Sequence, residues 1–105
     1  IDTSITNPRV LILGVSYKPG VGDVRETPAS ELRDFLISQG AIVGWHDPLV
    51  SVWENSKPVD LSWDCDVAIL TVNQIGINFE QIIGRGIQIL DCTNSIKNFA
   101  GVKSL

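Results

Sequence analysis

Methionine is absent from this 105-residue chain, histidine occurs once, at position 46, and cysteine twice. One histidine and two cysteines without a ligand spacing leave no metal centre of the usual kinds. Cys65 and Cys92 can form at most one disulfide. Two buried free thiols in a reducing cytosol are the expectation. Basic residues are in deficit, 8 against 12 acidic ones, for a net charge of −4. That argues against nucleic acid, whose binding needs a face that neutralises phosphates. No apolar run approaches the ~20 residues of a membrane-spanning helix, and no basic-then-apolar leader opens the chain. No membrane contact and a cytoplasmic location are therefore expected. Internal repeats and low-complexity segments are also missing. With Ile1 first and no methionine, the sequence reads as a piece of something larger.

What is present is 44% hydrophobic and 19% charged, the composition of an ordinary globular domain. Residues 1–8 read as a linker, and residues 9–105 as a single domain. The apolar run 9–14 is a strand buried on both faces. Thr27-Pro28 is a helix N-cap followed by proline at the first helical position. The helix runs over 28–39, with Leu32, Phe35 and Leu36 facing the core and Glu31, Arg33 and Asp34 facing away. Gly40 supplies its left-handed cap. Further strands follow at 41–46, 67–72 and 87–90, with a short helix at 79–83. Residues 49–62 are hard to read, with either a short helix or an edge strand open. The order predicts an α/β, Rossmann-like three-layer fold, a parallel sheet with helices on both faces.

The connection between the first strand and the first helix is unusually long, and loops of that length in small domains tend to be functional. It carries two cations, Lys18 and Arg25, near a strand's carboxyl end and a helix N-terminus, where open α/β sheets bind anions. Lys18 either binds a phosphate or sugar hydroxyl or is a solvated lysine. Arg25 either forks onto a pyrophosphate or pairs with Asp23 or Glu26. Tyr17 either lies against a base or ribose or anchors the loop, with Val21 and Val24 as further anchors. Asp47, ending the second strand, is placed as a ribose-binding acid would be, yet the first turn lacks Gly-x-Gly-x-x-Gly. A turn-former is the better reading of it. His46 is expected to be satisfied by backbone. No nucleophile stands with an adjacent base.

Tyr17-Lys18-Pro19 followed by Asp23-Val24-Arg25-Glu26-Thr27-Pro28 resembles the signature that opens the C-terminal domain of UDP-glucose/GDP-mannose dehydrogenases, with Thr27 in place of a serine. Gly40 to Val43, His46-Asp47-Pro48 and Asp66 to Thr71 extend the resemblance over almost the whole chain. It implies a UDP-sugar-binding domain of an NAD-dependent nucleotide-sugar 6-dehydrogenase, an oxidoreductase of polysaccharide biosynthesis that oxidises the sugar C6 hydroxyl to a carboxylate. It assigns Tyr17 and Lys18 to substrate and Arg25 to NAD held mainly by preceding domains, and the parent is expected to be a homodimer. The family's catalytic cysteine and lysine lie in earlier parts of the chain, so no catalytic residue is expected here and the isolated domain should be inactive. Many members carry Asp-x-Arg-Asn after the late strand. Here Asp91-Cys92-Thr93-Asn94 puts a threonine where the arginine approaches the nucleotide sugar. Two rival readings are a stand-alone dinucleotide-binding domain using Asp47, and a structural or oligomerisation module using the tryptophan-rich middle.

Overall fold

The computed structural model describes residues 7–93 and the backbone of residues 102–104. Five strands form one sheet: β1 Arg9–Leu13, β2 Ile42–His46, β3 Val67–Leu70, β4 Gln88–Asp91 and β5 Val102–Ser104. Their order is β2-β1-β3-β4-β5 and every neighbouring pair is parallel. The sequence reading expected four strands; β5 is the addition. The first helix, α1 Pro28–Ser38, follows β1, and the second, α2 Phe79–Ile83, follows β3. From β1 the chain crosses to β2 on one side, and from β3 it proceeds to β4 on the other. That reversal opens a crevice beyond the carboxyl ends of β1 and β3, where doubly wound sheets hold ligands.

Alternation along β1 separates the two cores. Val10 and Ile12 point to a cluster with Ala29, Leu36, Trp45 and Trp53, while Leu11 and Leu13 join Leu61, Ile82 and Ile89. The first cluster includes α1 residues and the second α2, so a helix covers each face, as predicted. Thr27 caps α1, its Oγ1 accepting from Ala29 N at 3.2 Å. Gly40, at φ 88°, ends the helix, with Gly40 N donating to Ile37 O and Ala41 N to Leu36 O. That pair of bonds satisfies carbonyls the last turn would leave open. The buried stripe is Ala29, half-buried Leu32 and Leu36. Phe35 lies beside it and is 59% exposed, which corrects its expected place in the core. Arg33 is also not turned fully outward; its guanidinium lies 6.0 Å from the Trp53 ring.

The middle segment is neither a helix nor a strand. Trp53 and Ser56 exchange backbone hydrogen bonds of 3.0 Å around Glu54 and Asn55, both at positive φ. This two-residue turn lets Trp53 fold edge-on against Trp45, with ring centroids 5.8 Å apart. Trp45 and Trp53 are both 3% exposed, so Trp53 belongs to the core although most of the residues around it in the segment are exposed. Of the expected linker, residues 1–6 lie outside the described residues. Pro8 is buried and its carbonyl accepts from Ile42 N at 2.8 Å, which ties it to the domain.

Candidate functional site

The loop from Gly14 to Thr27 is fixed from beneath by buried polar groups. Gly14 has φ 78°, and a Cβ there would overlap the Val72 carbonyl oxygen. Only glycine lets the end of β1 pass so close to the end of β3. Asp47 is 2% exposed, and its Oδ2 accepts from Val15 N at 2.9 Å while Oδ1 accepts from Leu49 N at 2.9 Å. Thr27 Oγ1 donates to Ser16 O at 3.0 Å, and Tyr17 N donates to Asp23 O at 2.6 Å. The loop is therefore built, with its exposed side chains standing on a hydrogen-bonded base.

Two clefts open on either side of Tyr17, which is 53% exposed. The first, of about 290 Å³, lies over the crevice of the sheet. Tyr17, Lys18 and Pro19 border it from the loop, Thr71 and Asn73 from the end of β3, and Thr93 from beyond β4. Among the described residues, Thr71 Oγ1 is a buried side-chain oxygen with no hydrogen-bond partner. Thr93 donates to Asp91 Oδ1 through both its backbone N, at 2.7 Å, and Oγ1, at 2.6 Å. The second cleft, of about 250 Å³, is lined by Tyr17, Asp23, Arg25 and Glu26. The structure thus brings Tyr17 to both clefts and gives each cation its own.

Arg25 takes the ion-pair alternative. Its Nη2 lies 2.8 Å from Asp23 Oδ2 and its Nε 3.1 Å from Asp23 Oδ1, while Arg25 N donates to Oδ1 at 2.9 Å. The guanidinium beside it holds the Asp23 carboxyl down to about 2, and the same bonds raise the Arg25 value. The Arg25 side chain is still 87% exposed. Tyr17 is not a buried anchor; Val24 packs against the core instead.

The remaining candidates resolve plainly. His46 Nδ1 lies 2.9 Å from Val59 O, the expected backbone partner. Both cysteines are free thiols; Cys65 is buried, but Cys92 is exposed, which corrects its expected burial. Burial is the main cause that pushes both thiols up, so neither is an activated nucleophile. Asn94 lies outside the described residues. No cluster of metal-ligating side chains occurs among the described residues. NAD does not fit the position where a dinucleotide-binding fold of this kind would place it. Asp47 is buried with both oxygens engaged, and the loop occupies the ground where a glycine-rich turn would stand. The engaged carboxylate favours the turn-forming role of Asp47 over a ribose-binding one.

Sequence reasoning missed Gln74. It is 2% exposed and its amide reaches two loops, bonding Gly20 N, Ser16 Oγ and Val21 O in the first and Asp47 Oδ2 after β2. Its only signal was a lone amide just past an apolar strand.

The profile of the UDP-glucose/GDP-mannose dehydrogenase family, UDP binding domain, matches residues 11–97. The chain belongs to this family. A UDP-N-acetyl-D-mannosamine dehydrogenase of Methanococcus aeolicus is 40% identical over 53 residues, 50% of this chain and 12% of that protein. The UDP-glucose 6-dehydrogenase 4 of Arabidopsis thaliana is 27% identical over 85 residues, 73% of this chain and 18% of that protein. Among solved structures, a UDP-D-ManNAc dehydrogenase from Pyrococcus horikoshii superposes with a TM-score of 0.74 at 22% identity, over 94% of this chain and 25% of that one. A GDP-mannose dehydrogenase from Pseudomonas aeruginosa gives 0.68 at 23% identity, over 97% and 29%. These likenesses show the fold of the UDP binding domain. The chain spans less than a fifth of the length of the two curated relatives.

Proposed function

We propose that this UDP binding domain holds the nucleotide portion of a UDP-type sugar in the Lys18 cleft, as part of an NAD-dependent enzyme that oxidises the sugar C6 hydroxyl to a carboxylate. The observation that carries the reading is the division of Lys18 and Arg25 between two clefts that share the Tyr17 ring. Lys18 supplies a point charge for a phosphate, and the exposed Tyr17 face a surface for base or ribose. The rest of the cleft wall is uncharged: Thr71 and Asn73 offer polar groups to hydroxyls and carbonyls, and Pro19, Pro28 and Val72 are apolar. Thr93 stands where many members carry arginine, so this cleft grips its ligand with one cation fewer.

The described cleft-lining residues include no cysteine, histidine or carboxylate, so the domain binds and positions while the chemistry occurs elsewhere. NAD, when bound, accepts the hydride in each of the two oxidation steps. Arg25, exposed and lining the other cleft, is the residue that would reach a dinucleotide held by a preceding domain. Closing such a domain over the Lys18 cleft would orient the sugar, an effect worth several kcal/mol (roughly 7–11 at most) in well-aligned systems. The parent is a cytoplasmic homodimer of polysaccharide-precursor synthesis on this reading.

Steady-state kinetics of the full-length protein test it. Lys18→Ala should raise KM for the nucleotide sugar about tenfold, as expected for loss of one charge-assisted contact of ~1.5 kcal/mol. Arg25→Ala should act chiefly on KM for NAD. If both substitutions affect only the sugar, the two cations serve one ligand and the division is wrong.

A further inference from the structure

Lys18 is exposed, so the bonds that hold its backbone decide where its ammonium stands. Gln74 is connected to it by a two-step relay. The Gln74 Nε2 donates to Ser16 Oγ at 2.8 Å, and Ser16 Oγ donates to the Lys18 carbonyl at 2.8 Å. The same Nε2 also bonds Val21 O at 2.9 Å and Asp47 Oδ2 at 3.2 Å, while Oε1 accepts from Gly20 N at 2.7 Å and Ile75 N at 3.3 Å. The orientation of the amide is set by chemistry. A carbonyl and a carboxylate can only accept, and a backbone N–H can only donate, so Nε2 and Oε1 cannot be exchanged.

We infer that Gln74 is a positioning residue for nucleotide binding, which acts through Ser16 by fixing the backbone from which Lys18 reaches the cleft. The inference rests on the reading that Lys18 contacts the nucleotide. Both Gln74, 2% exposed, and Ser16, fully buried, are too enclosed to serve the ligand directly. The backbone leaving Lys18 is held twice: Ser16 takes the carbonyl of Lys18, and Gln74 takes the amide of Gly20. A loop fixed before the ligand arrives spares the ordering cost that a mobile lysine would add to binding. The hydroxyl of Ser16 is consumed as the middle of the relay, which explains a serine fully buried in the loop three residues past β1.

The test is a double-mutant cycle in the full-length protein, with UDP as the probe in titration calorimetry. Lys18→Ala should weaken UDP about tenfold, and Gln74→Met by roughly fivefold or more, with the melting temperature followed in parallel. The double variant should bind about as Lys18→Ala does, because without the ammonium its placement no longer matters. Ser16→Ala, which cuts only the relay, should reproduce the Gln74→Met effect in milder form and serves as the deciding variant if Gln74→Met fails to fold. Multiplying effects in the double variant, or Gln74→Met affinity within about twofold of the parent despite a lower melting temperature, would leave Gln74 a purely structural residue. UDP affinity unmoved by Lys18→Ala alone would overturn the nucleotide assignment itself, and this inference with it.

Discussion

Asp47→Asn separates the two meanings that an acid at the end of β2 can have. In the structure each carboxylate oxygen serves a different backbone donor: Oδ2 accepts from Val15 N and Gln74 Nε2, Oδ1 from Leu49 N. An asparagine offers one oxygen. Turned toward Val15, it sets its NH2 against the Leu49 N–H; turned the other way, it sets it against Val15 and Gln74. One buried donor is therefore always opposed, and the surviving bonds lose their charge assistance. Together these cost about 2–4 kcal/mol, a bond to a charged acceptor being worth ~1.5–3 and a neutral one about 1. Urea unfolding followed by tryptophan fluorescence reads this directly, since Trp45 and Trp53 are both buried. With a slope of about 1–2 kcal/mol/M, the midpoint should fall by at least 1 M. A shift under ~0.3 M would refute the argument. Combined with loss of dinucleotide affinity, it would restore Asp47 as a ribose ligand.

Two further outcomes follow from the same geometry. Gly14→Ala should destabilise the domain by about 3 kcal/mol or more, because the left-handed backbone and the Val72 carbonyl both oppose a Cβ; a melting temperature within a degree or two of the parent would refute the close approach. Under native conditions at neutral pH, Cys92 should be alkylated well before Cys65, and both more slowly than a free thiol, since burial raises both; mass spectrometry of timed samples that found Cys65 labelled first would contradict the packing.

The parts of the fold that were legible are those where local chemistry and tertiary role agree. Val10 to Leu13 and Ala68 to Leu70 are buried on both faces, so an unbroken apolar run is the whole signal. Thr27, Pro28 and Gly40 mark α1 because capping is a local requirement of the backbone. Phe35 misled because it sits three residues after Leu32, a helical spacing. The buried face runs instead along Ala29, Leu32 and Leu36, which leaves Phe35 about a quarter-turn off it. The middle segment was illegible for a different reason. Its turn uses positive φ at Glu54 and Asn55 without a glycine, and glycine or asparagine-glycine is the usual sign of such a turn. Trp53 then buries itself against Trp45 and the rest of the core on that face, with no periodicity to betray it. At the site, the cations stood out because an exposed loop motif carries them. The base that holds them did not, since Gln74 and Asp47 draw their meaning from partners 27 to 58 residues away in sequence.

Whether Arg25 is committed to Asp23 or available to a ligand is decided by exposure. The guanidinium is 87% exposed and the partner carboxylate 39%, so water and salt screen the pair and it restrains Arg25 only weakly. A diphosphate presents two neighbouring anionic groups to the same fork and should displace a single screened carboxylate. The Asp23 carboxyl reports that exchange. Its value lies at about 2 against an ordinary 3.8, chiefly because of the Arg25 hydrogen bonds. Being depressed, it contributes favourably above about 3.8 and loses that contribution as pH falls toward 2. Arg25→Ala should return the midpoint to the ordinary carboxylate range, followed by NMR of the side-chain carboxyl. If a dinucleotide takes Arg25 in the full-length protein, saturating NAD should raise the Asp23 midpoint in the same direction. A midpoint that rises in Arg25→Ala but stays at about 2 with NAD bound would show that Arg25 never leaves Asp23. The residue would then be a structural brace of its own loop, and the cofactor contact would have to be sought on another domain.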